Sequence, residues 1–80
     1  MSIDVLLFAS YADAFGASSL SVELPDGATV GDVVSEIRRR PGSQVLPRQP
    51  LVAVNERIAP MSARVTSNDE VALIPPVAGG

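Results

Sequence analysis

The sequence contains no cysteine and no histidine. A disulfide framework and a thiolate or imidazole metal centre are therefore both excluded. Its nine carboxylates are scattered rather than clustered, so no acidic metal site is expected either. Lysine is also missing: all six basic residues are arginines. That absence fits first a genome bias toward arginine codons, and second a chain with no side-chain amine to attack an activated carbonyl; the residues leave both readings open. The longest apolar run, Val5 to Ala9, is far too short to span a membrane, and Met1-Ser2-Ile3-Asp4 lacks the positive start of a signal peptide. The formal charge is −3 and the only basic cluster is Arg38-Arg39-Arg40, which argues against nucleic acid as a partner. A cytoplasmic protein without membrane contact is the expectation.

Eighty residues suffice for one small domain, which buries only about 60% of its unfolded surface. Domains of this size usually add disulfides or a metal. Here an apolar core must serve, and the 46% hydrophobic content allows it. The positive mean hydropathy also suggests apolar surface left over for a partner.

Ile3 to Ser10 reads as a first strand, with Ile3, Val5 and Leu7 on one face and Asp4, Leu6 and Phe8 on the other. Tyr11 to Ala17 reads as a connection of small and polar residues. Ser18 to Leu24 alternates as a half-buried strand, and Pro25-Asp26-Gly27 marks a turn. Thr29 suits a helix N-cap with Asp32 three residues on, and Val30, Val33, Val34 and Ile37 form one helical stripe. Arg38 to Arg40 would occupy the last turn before Pro41-Gly42, serving helix termination and solvation or, alternatively, docking. Gln44 to Pro50 reads as an irregular loop. Leu51 to Val54 is continuously apolar, as in the centre of a sheet, and Asn55-Glu56 would turn the chain into a short strand, Arg57 to Ala59. Ser67-Asn68-Asp69 is a further turn, and Glu70 to Ile74 the last strand.

This order predicts an α+β fold with one main helix on one face of a mixed sheet; it matches the β-grasp or ubiquitin-like arrangement, though order alone would fit other small α+β folds. Residues 1–74 would form the domain and residues 75–80 an exposed tail. Pro75 and Pro76 lack amide donors and fix φ, so they release the chain from the last strand in an extended conformation. Val77, Ala78, Gly79 and Gly80 follow. Glycine has no Cβ, so such a tip can thread a narrow channel with its carbonyl open to attack. A carboxylate is a poor electrophile at neutral pH and needs activation, most simply as an acyl-adenylate made from ATP by a partner enzyme. A sulfur donor could then displace AMP and leave a thiocarboxylate, ionised and nucleophilic like a low-pKa thiolate. None of these steps needs a catalytic side chain in the carrier.

The chain resembles the ubiquitin-like sulfur-carrier family, and within it the small subunits of molybdopterin synthase. The resemblance runs through Val5-Leu6-Leu7-Phe8-Ala9, Thr29-Val30, Val52-Ala53-Val54-Asn55 and Asn68-Asp69-Glu70-Val71-Ala72-Leu73-Ile74-Pro75-Pro76-Val77-Ala78-Gly79-Gly80. It departs in two places. Tyr11-Ala12-Asp13 keeps the family's acidic residue but not the arginine usual near it, and Asn68 replaces a glycine, with a left-handed turn expected to survive.

The resemblance implies that Gly80 is adenylated and thiocarboxylated by an E1-like enzyme using ATP, with no cofactor bound to the carrier itself. The tail, Pro75 to Gly80, would enter the large subunit of molybdopterin synthase, in a heterotetramer with two copies of each subunit. There it would supply the dithiolene sulfur of molybdopterin, made from cyclic pyranopterin monophosphate. The carrier would be a non-catalytic subunit with no active site of its own. Strand parity offers Phe8, Ile58 and Ile74 as an apolar docking patch near the tail's exit. Sulfur delivery to cysteine or thiamine biosynthesis, modification of protein lysines in the manner of ubiquitin, and a plain interaction module with an inert tail are the competing readings.

Overall fold

In the computed structural model of the protein, which describes residues 1–76, the alternating segment at the start becomes strand β1 (Ser2–Leu7). Five strands form one mixed sheet: β1, β2 (Ser19–Glu23), β3 (Leu51–Val54), β4 (Arg57–Ala59) and β5 (Val71–Ile74). Their spatial order is β2-β1-β5-β3-β4, with β1 and β5 parallel and the other neighbours antiparallel. Helix α2 (Val30–Ile37) crosses between β2 and β3 and lies on one face. The architecture is an α+β β-grasp.

The core lies between that helix and the sheet. Val30, Val33, Val34 and Ile37 are buried, as are Ile3, Val5, Leu7, Val52, Val71 and Leu73 beneath them. Each fully buried aliphatic side chain contributes about 1.5–3 kcal/mol, and this core supplies what disulfides would otherwise provide. The helix start is a reciprocal capping box. Thr29 Oγ1 accepts from Asp32 N–H at 3.3 Å, and Asp32 Oδ2 accepts from Thr29 N–H at 2.9 Å.

Several elements differ from the sequence-based expectation. β1 ends at Leu7 rather than Ser10, because Ala9 has φ +47° and breaks the extension. The expected connection after it is a second helix, α1 (Ala9–Phe15), with Tyr11 buried and Gly16 as a left-handed C-cap donating to Ala12 O. Helix α2 ends at Ile37, so the three arginines lie beyond its last turn. Arg39 is solvated and pairs with Glu36, whereas Arg38 and Arg40 are tied to the backbone. Arg38 Nη2 donates to the carbonyls of Pro47 (2.6 Å) and Arg48 (2.7 Å), and Arg40 Nη2 to that of Ser21 (2.6 Å). The loop after them contains a short 3₁₀ turn, Ser43–Val45. The central strand is β5, not β3, and Leu51 on β3 is half-exposed.

Candidate functional site

Because successive strand residues face opposite ways, burying Val5, Leu7, Val71 and Leu73 under α2 forces their neighbours onto the open face of the sheet. The register aligns those neighbours in rows. Leu6 stands beside Ala72, Ala72 beside Ala53, and Ala53 beside Ile58, while Ile74 stands beside Leu51. Phe8 continues the alternation of β1 with an extended backbone and then opens α1, its carbonyl accepting from the amides of Tyr11 and Ala12. Its ring is therefore left on the open face, 48% exposed.

Phe8, Ile58 and Ile74, which strand parity nominated, do converge. They wall a depression of about 320 Å³ whose floor is Ala53 and Ala72 and whose far end is lined by Glu56 and Glu70. The two alanines matter because larger residues there would fill the hollow. Leu51 belongs to the same apolar surface through its pairing with Ile74, and sequence reasoning missed it. The parity of β3 held the signal, since Val52 faces the core and Leu51 must face away.

The acidic end is positioned by the β3–β4 hairpin. Asn55 (φ +52°) and Glu56 (φ +71°) form a two-residue turn with both central residues left-handed, the twist such hairpins favour. Asn55 then locks that turn to the start of β5. Its N–H donates to Glu70 O at 2.8 Å, its side-chain carbonyl accepts from Glu70 N–H at 2.9 Å, and its amide donates to Asp69 Oδ1 at 2.9 Å. The Asn55 bond, followed by the Thr66 N–H on the other oxygen at 2.8 Å, holds the Asp69 carboxyl below its usual range. The turn at Ser67-Asn68 closes through Asp69 N–H to Thr66 O, and Asn68 does not adopt the left-handed conformation expected of it.

The hollow offers, among the described residues, an apolar floor and walls with two exposed carboxylates at one end. Among the described residues no group of three or more His, Cys, Asp or Glu is placed to hold a metal ion, and no helix is long and apolar enough to cross a membrane. β5 ends at Ile74 and the chain leaves it through Pro75 and Pro76 at the apolar end of the hollow. The remaining tail positions named from sequence, Val77, Ala78, Gly79 and Gly80, lie outside the described residues.

Residues 5–80 match the model of the ThiS family. The molybdopterin synthase sulfur carrier subunit of Arabidopsis thaliana is 33% identical over 81 residues, covering 100% of this chain and 84% of that protein. The subunit of the same description from Mycobacterium tuberculosis is 34% identical over 82 residues, covering 100% of this chain and 99% of that one. Among solved structures, SAMP1 from Haloferax volcanii superposes with a TM-score of 0.85 at 30% identity, covering 100% of both chains. A structure of the small archaeal modifier protein 1 of H. volcanii gives 0.83 at 25% identity, covering 95% of this chain and 98% of that one.

Proposed function

The chain belongs to the ThiS family, and from that premise we propose that it is the sulfur carrier subunit of a molybdopterin synthase. The observation that carries this reading is similarity to such subunits along the whole chain, the Gly79-Gly80 end included. In the proposed cycle an E1-like enzyme joins the Gly80 carboxylate to AMP, releasing pyrophosphate from ATP. A sulfur donor then displaces AMP to give the thiocarboxylate. The tail from Pro75 onward enters the large synthase subunit, which holds the catalytic residues, and sulfur passes to the pterin precursor. Phe8, Ile58 and Ile74 form the docking patch that seats the carrier while the tail reaches inward, in a heterotetramer of two copies of each subunit. The compartment is the cytoplasm.

The geometry supports this seating of the carrier. The described domain offers an apolar hollow, and the chain leaves β5 beside it, so a partner seated there lies next to the tail's exit. The reading is tested by intact mass of the full chain after incubation with the activating enzyme of the same organism, ATP and a sulfur donor. Replacement of one oxygen by sulfur at Gly80 is expected. Failure of the mass to change with an active enzyme would refute it.

The likeness to small archaeal modifier protein 1 favours one second reading, attachment of Gly80 to amines of other proteins. Gly80-linked lysine peptides in digests of the source cells would establish that activity.

A further inference from the structure

The open face of the sheet changes character along its strands. β1 and β5 run parallel with Val5 beside Val71, so Asp4 stands beside Glu70 at one end of the face. At the other end are Phe8 and Ile74, where the chain leaves the sheet. Glu70 immediately precedes β5 and lies four residues before Ile74, a separation of about 13 Å in extended chain. The left-handed turn at Asn55 and Glu56 brings a further carboxylate, that of Glu56, to the same end of the hollow as Glu70. Both glutamates are exposed, and neither forms an ion pair among the described residues, where the single close pair is Arg39 with Glu36.

On the docking reading proposed above, we infer that the protein surface seated on this face carries arginine or lysine side chains opposite Glu56 and Glu70, at the end of the hollow away from the tail's exit. Three observations argue for this occupant. The hollow with its alanine floor and its walls of Phe8, Ile58 and Ile74 accepts an apolar side chain, the usual anchor of a protein interface. An apolar seat alone would tolerate a partner turned end for end along the strands. Carboxylates at one end only remove that ambiguity, which matters when the tail must point into a channel. Finally, none of the open-face strand positions carries a cation, since Arg57 pairs with Val54 on the opposite face. A second copy docked through the same face therefore brings no strand cation opposite these carboxylates, and face-to-face self-association is disfavoured.

The test is association kinetics of the full chain with the large synthase subunit of the same organism, at low and high salt. The double variant Glu56→Gln, Glu70→Gln keeps the backbone bonds of Glu70. It is expected to associate about 10-fold more slowly at low salt, with a flatter salt dependence and little change in dissociation rate. Phe8→Asp, with an unchanged melting curve, is expected to accelerate dissociation instead. If the Gln variant associates like the parent at every salt concentration while Phe8→Asp loses binding, the charge inference fails and the docking reading stands. If Phe8→Asp binds like the parent, the docking reading fails and the inference with it. A self-dimer in sedimentation that Phe8→Asp abolishes would identify a second copy as the occupant and overturn the inference.

Discussion

The side-chain amide of Asn55 donates to Asp69 Oδ1 at 2.9 Å, tying the β3–β4 turn to the loop that precedes β5. The same side chain accepts from Glu70 N–H, so one asparagine closes both its own left-handed turn and the entry to the central strand. Asparagine is suited to both tasks, tolerating positive φ better than most residues while offering one donor group and one acceptor. Asn55→Ala should therefore cost about 1–3 kcal/mol, from lost hydrogen bonds and from strain at positive φ. Asn55→Gly relieves the strain but not the lost bonds and should fall between alanine and the parent. Urea denaturation of the three proteins checks the order; equal stability of the alanine variant would refute the bridging role.

The Asp69 carboxyl is held below its ordinary range by the Asn55 amide first and the Thr66 N–H second. Its pKa is depressed in the folded state, so its stabilisation is complete above the unfolded value of about 3.9 and is lost as pH falls through the folded value. Asp69→Asn removes that titration. Stability measured from neutral pH into the acid range should fall less steeply for the variant than for the parent below about pH 4.

Tyr11 supplies the opposite case. Its side chain is buried in the core, its hydroxyl has no hydrogen-bond partner among the described residues, and burial raises its pKa above the usual value. The unfolded phenol ionises first, near pH 10, so stability should decline as pH rises from there through the folded value. Tyr11→Phe should abolish that alkaline decline and, at neutral pH, stabilise the protein by about 1 kcal/mol, since it removes a buried group left unbonded. Thermal melts of the two proteins across this pH range decide it.

Tyr11 also marks where sequence reasoning failed. The stripe of α2, its Thr29–Asp32 capping box, the Asn55-Glu56 hairpin and the five strands were all legible, because each is a local pattern with a fixed period or cap. Helix α1 was not. Tyr11 and Phe15 are its only large apolar residues among alanines, serine and aspartate, too few to declare a period. Its position depends instead on distant chain. Gly42, at φ +96°, lets the backbone pass so close to Ala14 that any Cβ there would collide with the Ala14 carbonyl. The arginine contacts were hidden for the same reason, since Arg38 and Arg40 reach carbonyls that only the tertiary fold brings near. At the site, parity alone united Phe8, Ile58 and Ile74. Leu51 escaped because a continuously apolar strand reads as buried on both faces, whereas β3 is covered on only one.

That difference between the faces of β3 gives the sharpest contrast available in the chain. Leu51 and Val52 are adjacent and similar in chemistry, yet Leu51 is 51% exposed beside Ile74 on the open face and Val52 is 1% exposed beneath α2. Val52→Asp would bury a carboxylate without a partner, a cost of several kcal/mol that a domain this small cannot absorb. It should be unfolded at room temperature by circular dichroism. Leu51→Asp places the same charge in water, so the melting curve should stay close to that of the parent. If the docking surface extends along the row from Ile74 to Leu51, this folded variant should bind the large synthase subunit at least about 10-fold more weakly, as expected for loss of a central apolar contact. A folded Leu51→Asp with undiminished binding would confine the docking surface to the Phe8 side of Ile74. An unfolded one would mean that Leu51 supports the core and that its exposure does not make it part of the site.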